Sequence, residues 1–137
     1  MALGEWCEAG PAALPGRANV SFAEVRGADL FVRTYERGVG LTDSCGSAMA
    51  SSAFAAGLTG RLAFGKAMRV FNRGGMVIAE AEAPADGGRV TLCGNASFLY
   101  AATIPVDPVA ATAGVPLVHE RRADEAAAWD ALVAAIR

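Results

Sequence analysis

Histidine and cysteine are scarce in this sequence. The 137 residues include one histidine, His119, and three cysteines, Cys7, Cys45 and Cys93, at none of the spacings typical of metal sites. A metal site needs several converging ligands, and a disulfide framework uses an even number of cysteines. Unpaired cysteines are typical of a reducing compartment. We therefore expect no metal, no structural disulfide and a cytoplasmic location. We interpret His119 as a surface residue, and Cys7 and Cys93 as buried, inert cysteines.

The sequence also lacks a basic excess and a long apolar run. Twelve basic residues against fourteen acidic residues give a net charge of −2, so nothing favours binding to a phosphate backbone. The two longest uncharged stretches, residues 44–60 and 90–106, hold 17 residues each and contain glycine, serine or proline. Both are at the lower length limit for a membrane span and too polar to form one. We expect neither nucleic acid nor membrane as a partner.

With 53% hydrophobic and 19% charged residues, the composition is that of a globular domain. Alternating apolar and polar residues on either side of glycine-containing turns predict three hairpins. Their strands are residues 19–25 with 29–35, 66–72 with 76–82, and 89–93 with 97–103. We predict irregular structure for residues 1–17.

Two helices are predicted, and they differ in character. Residues 45–58 contain only uncharged and mostly small side chains, which favours burial on most sides. Residues 124–136 form an amphipathic pattern with Trp129, Leu132, Val133 and Ile136 on one stripe. We therefore predict an α+β fold with an antiparallel or mixed β-sheet wrapped around a central helix, plus a C-terminal amphipathic helix. Residues 1–104 would form one domain, and residues 105–137 a proline-containing linker and the last helix.

Cys45 is the strongest candidate for chemistry. It lies where a glycine-bearing loop meets the start of the uncharged helix. A helix N-terminus offers unpaired N–H groups and partial positive charge, which stabilise a thiolate and can hold a carboxylate. The alternative is an inert cysteine packed as a small apolar group.

A second candidate is the pair Glu36-Arg37, which follows a predicted strand and precedes Gly38 and Gly40. Adjacent opposite charges at a strand end can anchor an ammonium and a carboxylate. The alternative is a solvated loop pair that contributes little. The Gly38-x-Gly40 spacing lacks the third glycine of a dinucleotide-binding fingerprint, so nucleotide binding is not expected.

Three motifs, in this order, resemble the C-terminal half of the diaminopimelate epimerase family. They are G-R-A-N-V-S-F at residues 16–22, E-R-G-V-G-L-T-D-S-C-G-S at residues 36–47, and V-T-L-C-G-N-A-S-F-L-Y at residues 90–100. The resemblance covers about residues 8–104. It implies a bacterial isomerase of lysine and cell-wall precursor biosynthesis that interconverts LL- and meso-diaminopimelate without pyridoxal phosphate, metal or other cofactor.

The resemblance also implies roles for individual residues. In the family, two cysteines face each other across the substrate: one thiolate removes the α-proton, and the other thiol returns a proton to the opposite face. Cys45 matches one of them, with Glu36 assisting. The residues implied in substrate binding are Asn19, Glu36, Arg37, Gly46 and Ser47, the last two through backbone N–H groups that receive the α-carboxylate.

The sequence departs from the family pattern in several places. Leu41 stands where the family usually has glutamate, and Ala48 replaces a common glycine. The motif of the family's N-terminal half, with the second catalytic cysteine, has no match, and the neighbours of Cys7 do not resemble it. We therefore expect the chain to need a missing N-terminal half or a second copy of itself for full activity. Two alternatives remain: a non-catalytic binding or assembly module with the fold of an epimerase half, and another amino-acid racemase of the same fold.

Overall fold

A computed structural model describes residues 2–136, which divide into two compact units. The first unit consists of residues 2–95 together with Ile136, the last residue of the C-terminal helix, and the second is Ala96–Ala135. The elements of the first unit are, in chain order, α1 (Ala2–Glu8), β1 (Val20–Arg26), β2 (Asp29–Glu36), β3 (Gly40–Thr42), α2 (Gly46–Leu58), β4 (Ala67–Asn72), β5 (Gly75–Ala81), a single 3-10 turn (Pro84–Asp86) and β6 (Val90–Gly94).

The sheet of the first unit has the order β1-β2-β4-β5-β6, with β3 paired to β2. All its pairings are antiparallel except that of β2 with β4. Parallel neighbours need a long crossover, and here the connection contains α2. The predicted α+β class with a mixed sheet is therefore confirmed, as are the hairpins β1-β2 and β4-β5.

Helix α2 packs one face on this sheet and contacts β1, β2, β4, β5 and β6. The core formed there consists of Leu30, Val32, Met49, Ala53, Ala56, Met68, Val70 and Ala79. The opposite face is exposed, and its residues are Ser47, Ser51, Ala55 and Leu58. The expectation that α2 is buried on most sides was wrong, because an uncharged face built from small residues and serine can also face solvent.

Residues 1–17, predicted to be irregular, begin with helix α1. An added Cβ at Gly4 would meet the ring of Tyr35, so only glycine allows this close approach. Cys7 is buried, as predicted. The helix ends before Gly10, whose φ of 68° is left-handed. Seven residues are too few to show helical periodicity, and packing on the sheet supports a helix this short.

The second unit contains mostly short elements. They are β7 (Tyr100–Thr103), β8 (Val106–Asp107), β9 (Thr112–Ala113), β10 (Leu117–Arg121) and α3 (Ala123–Ile136). Strand β7 pairs with β10, and β8 pairs with β9, both antiparallel. The stretch predicted to be a linker thus carries strands. Whether the family domain ends at residue 104 stays a prediction.

The predicted hairpin between residues 89–93 and 97–103 was wrong. Strand β6 pairs with β5, and β7 pairs with β10. A glycine-asparagine turn signal shows where a chain reverses, but not which strand it then joins.

The predicted C-terminal helix is present as α3, and its apolar stripe is only half-buried. Of the helices within residues 2–136, none has the length and apolar character that a membrane crossing demands.

Candidate functional site

The loop after β2 presents Glu36 and Arg37. Gly38 and Gly40 adopt left-handed φ values of 80° and 92°, which glycine accommodates without strain. The chain therefore reverses and returns as β3, with Gly40 opposite Glu36. On β3, the Thr42 hydroxyl donates a hydrogen bond to Glu36 Oε1 at 2.7 Å. The half-buried Glu36 carboxylate thus has a fixed position.

Arg37 is anchored by residues from the N-terminal side of β1. Its backbone N–H donates to Asn19 Oδ1 at 2.8 Å, and its Nη1 donates to the carbonyl oxygen of Gly16 at 2.9 Å. Two of the predicted substrate-binding residues, Asn19 and Arg37, are therefore in direct contact. Both are exposed.

Helix α1 also holds this loop. The Gly38 N–H donates to Glu8 Oε1 at 2.7 Å. The same carboxylate, hydrogen-bonded to the phenol, raises the pKa of Tyr35 above its ordinary value. Sequence reasoning missed the roles of Glu8, Gly16 and Thr42. Gly16 and Thr42 gave a signal, as parts of the motifs at residues 16–22 and 36–47, whereas Glu8 gave none.

Cys45 occupies the N-cap position of α2, with an extended backbone at φ −150° and ψ 102°. Its carbonyl oxygen accepts the N–H of Met49 at 3.0 Å, and no side chain caps this helix end. The first N–H groups of a helix, here including those of Gly46 and Ser47, have no intrahelical acceptor. Cys45 is half-buried, and its Sγ lies 3.4 Å from Ser47 Oγ. This helix end can stabilise a thiolate and receive a carboxylate.

The predicted site residues thus fall into two groups. Asn19, Glu36 and Arg37 lie around the β2-β3 loop, and Cys45, Gly46 and Ser47 lie at the start of α2. Strand β3, with Leu41 exposed on it, joins the groups along the chain. Within residues 2–136, no hydrogen bond or ion pair connects the first group to Cys45.

The other candidates lie elsewhere. Cys93 is exposed on β6, so the expectation that it is buried was wrong: it sits near the end of a strand at the edge of the sheet. His119 is exposed, as predicted, with Nε2 2.7 Å from Thr103 Oγ1. Across the part of the chain that the structure describes, no three histidine, cysteine, aspartate or glutamate side chains converge as metal ligands would.

Comparison with known proteins places this chain beside curated diaminopimelate epimerases, although no protein-family model matches it. The Clostridium acetobutylicum protein is 38% identical over 96 residues, which is 69% of this chain and 29% of that protein. The Lactiplantibacillus plantarum protein is 40% identical over 110 residues, covering 77% and 33%. The Listeria monocytogenes serotype 4a protein is 33% identical over 125 residues, covering 90% and 37%. The chain belongs to the diaminopimelate epimerase family and spans about a third of the length of these relatives.

Proposed function

We propose that this chain supplies one side of the active site of a cofactor-independent amino-acid epimerase. The reaction would interconvert LL- and meso-diaminopimelate, in lysine and cell-wall precursor biosynthesis in the cytoplasm of a bacterium. The observation that carries the proposal is the position of Cys45: a half-exposed cysteine at the uncapped start of α2, in a relative of diaminopimelate epimerases.

The chemistry at Cys45 is proton transfer at the α-carbon. The thiolate takes the α-proton and becomes a thiol, and in the reverse direction the thiol returns a proton. Negative charge develops beside the substrate carboxylate during this step. The backbone N–H groups of Gly46 and Ser47 would bind that carboxylate and stabilise the charge, because they are already oriented before the reaction begins.

The β2-β3 loop would bind the far end of the substrate. Glu36 and Arg37 offer one negative and one positive group, which suits the ammonium and carboxylate at that end. The bonds from Thr42 to Glu36 and from Arg37 to Asn19 hold the loop in one conformation. Such preorganisation lowers the cost of ordering groups when substrate binds. The amide nitrogen of Asn19 can donate a further bond to substrate.

A second thiol is required for inversion. Cys45 contacts one face of the α-carbon, and a proton returned from that face restores the original configuration. Cys7 is buried in α1, and Cys93 lies on β6. The second thiol would therefore come from the family's N-terminal half or from a second copy of this chain, and the chain alone would not epimerise.

Isotope exchange tests the proposal. The chain is incubated in D₂O with LL-diaminopimelate, alone and with a polypeptide comprising the part of the Lactiplantibacillus plantarum enzyme that it does not match. Proton NMR then follows deuterium at the α-carbon and the formation of the meso isomer. We expect meso product only in the mixture, its loss with Cys45→Ser, and its retention with the matched control Cys93→Ser. Retention of activity in Cys45→Ser would refute the proposal.

Two other functions are distinguished by the same assay. Leu41, exposed where the family usually has glutamate, favours a racemase for a different amino acid. That function predicts α-deuteration of another amino acid in the mixture, but not of diaminopimelate. The bond from Arg37 to the carbonyl of Gly16 favours a non-catalytic module, since it uses one of the N–H donors of the guanidinium within the chain instead of for substrate. A module predicts binding of the second polypeptide without exchange on any amino acid.

A further inference from the structure

The turn between β4 and β5 lies against the segment that leads into Cys45. The N–H of Gly74 donates to the carbonyl oxygen of Asp43 at 2.8 Å. A Cβ added at Gly74 would lie 2.9 Å from that oxygen and 3.4 Å from Ser44 Cβ. Only glycine allows the two backbones to approach this closely. The contact fixes the two residues immediately before Cys45.

Asn72 ties the same turn to the first turn of α2. Its side chain is buried at 4% exposure, and its Oδ1 accepts the N–H of Gly74 at 3.0 Å. Its Nδ2 donates to Met49 Sδ at 3.1 Å. Met49 is itself buried, and its backbone N–H binds the carbonyl of Cys45. Asn72 therefore contacts both the turn and the helix residue that bonds to Cys45.

We propose that Asn72 and Gly74 are positioning residues for Cys45. This inference rests on the proposed role of that thiol. The turn holds the chain on both sides of Cys45: at Asp43 before it and at Met49 after it. The sulfur is thereby kept beside the N–H groups that begin α2. These groups favour the thiolate only at short range, because the effect of a helix terminus falls off within its first turn.

The test is the pH profile of alkylation at Cys45, read by peptide mass spectrometry with Cys93 as an internal reference. Gly74→Ala should slow alkylation of Cys45 at pH 7 by about two- to fivefold, the scale of a helix-terminus effect. The profile of Cys93 should not move. The matched control is Gly94→Ala, because a Cβ there lies 3.8 Å from Val77 Cγ1, an ordinary contact.

A second variant covers the case in which Gly74→Ala fails to fold. Asn72→Leu keeps the branching and the number of side-chain heavy atoms, and it removes both side-chain hydrogen bonds. It should slow alkylation of Cys45 in the same way, while circular dichroism shows an intact fold. A folded variant with an unchanged Cys45 profile overturns the inference. Alkylation of Cys45 can be measured whether or not the protein epimerises an amino acid. If Gly74→Ala slows this alkylation but the mixture incorporates no deuterium at the α-carbon, the proposed function is refuted and the positioning role of Gly74 is retained.

Discussion

The two units of this molecule differ most in what they bury. Among the described residues, every buried hydrophobic side chain lies in the first unit, whereas Val109 and Val115 in the second are 95% and 87% exposed. In the first unit, a helix crosses several strands and covers their apolar face. The second unit has two two-stranded sheets, which are marginal structures without further packing. The buried hydrophobic residues are Cys7, Leu30, Val32, Ala48, Met49, Ala53, Ala56, Met68, Val70, Ala79 and Ala81.

This difference bears on function. Every predicted site residue, from Asn19 to Ser47, belongs to the first unit. A proton-transfer site needs groups held within a fraction of an ångström, and only rigid, packed elements provide that. Apolar residues alone therefore do not form a core, because a helix or a second sheet must also pack on the apolar face of the strands.

The largest expected effect contrasts one leucine from each unit. Leu30 is fully buried, and Leu117 is 66% exposed. Leu30→Ala should lower the free energy of unfolding of the first unit by about 2–5 kcal/mol, because it leaves a cavity in the core. Leu117→Ala should cost less than about 0.5 kcal/mol.

Urea unfolding measures both costs with unit-specific probes. The chain has two tryptophans, Trp6 in α1 and Trp129 in α3. Trp129→Phe leaves a reporter on the first unit, and Trp6→Phe leaves one on the second. Equal losses for the two leucine variants would contradict the contrast between the units.

The next largest effect is a difference in stability between two variants of α2, which shows whether the helix is covered on one side only. Ala53 is fully buried on the sheet side, and Ala55 is exposed on the other. Ala53→Leu should overpack the core and cost about 1–3 kcal/mol. Ala55→Leu should change stability by less than about 0.5 kcal/mol. Thermal melts compare the two variants, and similar destabilisation by both would mean that α2 is enclosed on both sides.

A smaller effect comes from Asp29, the first residue of β2. Hydrogen bonding from Arg69 lowers the pKa of Asp29 below the ordinary value of an aspartate. A carboxyl with a lower pKa in the folded state stabilises the fold above its unfolded pKa, and the contribution disappears as pH falls through the folded pKa. Asp29→Asn should therefore cost about 1 kcal/mol at pH 7, limited by the exposure of Arg69, and a smaller amount at about pH 3.

Chemical denaturation at the two pH values checks this. The control is Glu24→Gln, which removes an exposed pair with Arg26 and should leave stability unchanged. A cost for Asp29→Asn that is the same at both pH values would show that the ion pair does not contribute.

The parts of the fold that the sequence predicted are those set by local chemistry. Alternation around Gly27 and around Gly74 predicted two hairpins correctly, and the glycine-bearing start at Cys45 predicted α2. The partner of β7 is β10, more than a dozen residues further along the chain, and no local pattern contains that pairing. The packing of Gly4 on Tyr35, which accompanies α1, is likewise a tertiary contact.

In the candidate site, too, the sequence predicted the local position of a residue but not its contacts with other strands. The motif containing Cys45 predicted a cysteine at a helix start, and the structure places it at the N-cap. The bond from Thr42 to Glu36 depends on the reversal of the chain into β3, and the bond from Arg37 to Asn19 joins residues 18 positions apart. Spacing within a motif gives residue types at one point of the chain, whereas these contacts depend on how strands pair.

If the start of α2 binds the substrate carboxylate beside Cys45, bound substrate should protect this thiol from alkylation. The chain is mixed with the remaining part of the Lactiplantibacillus plantarum enzyme and alkylated with and without saturating LL-diaminopimelate. The account predicts that substrate slows alkylation of Cys45 severalfold and leaves the exposed Cys93 unchanged. Equal alkylation of Cys45 with and without substrate, in a mixture that forms meso product, would contradict it.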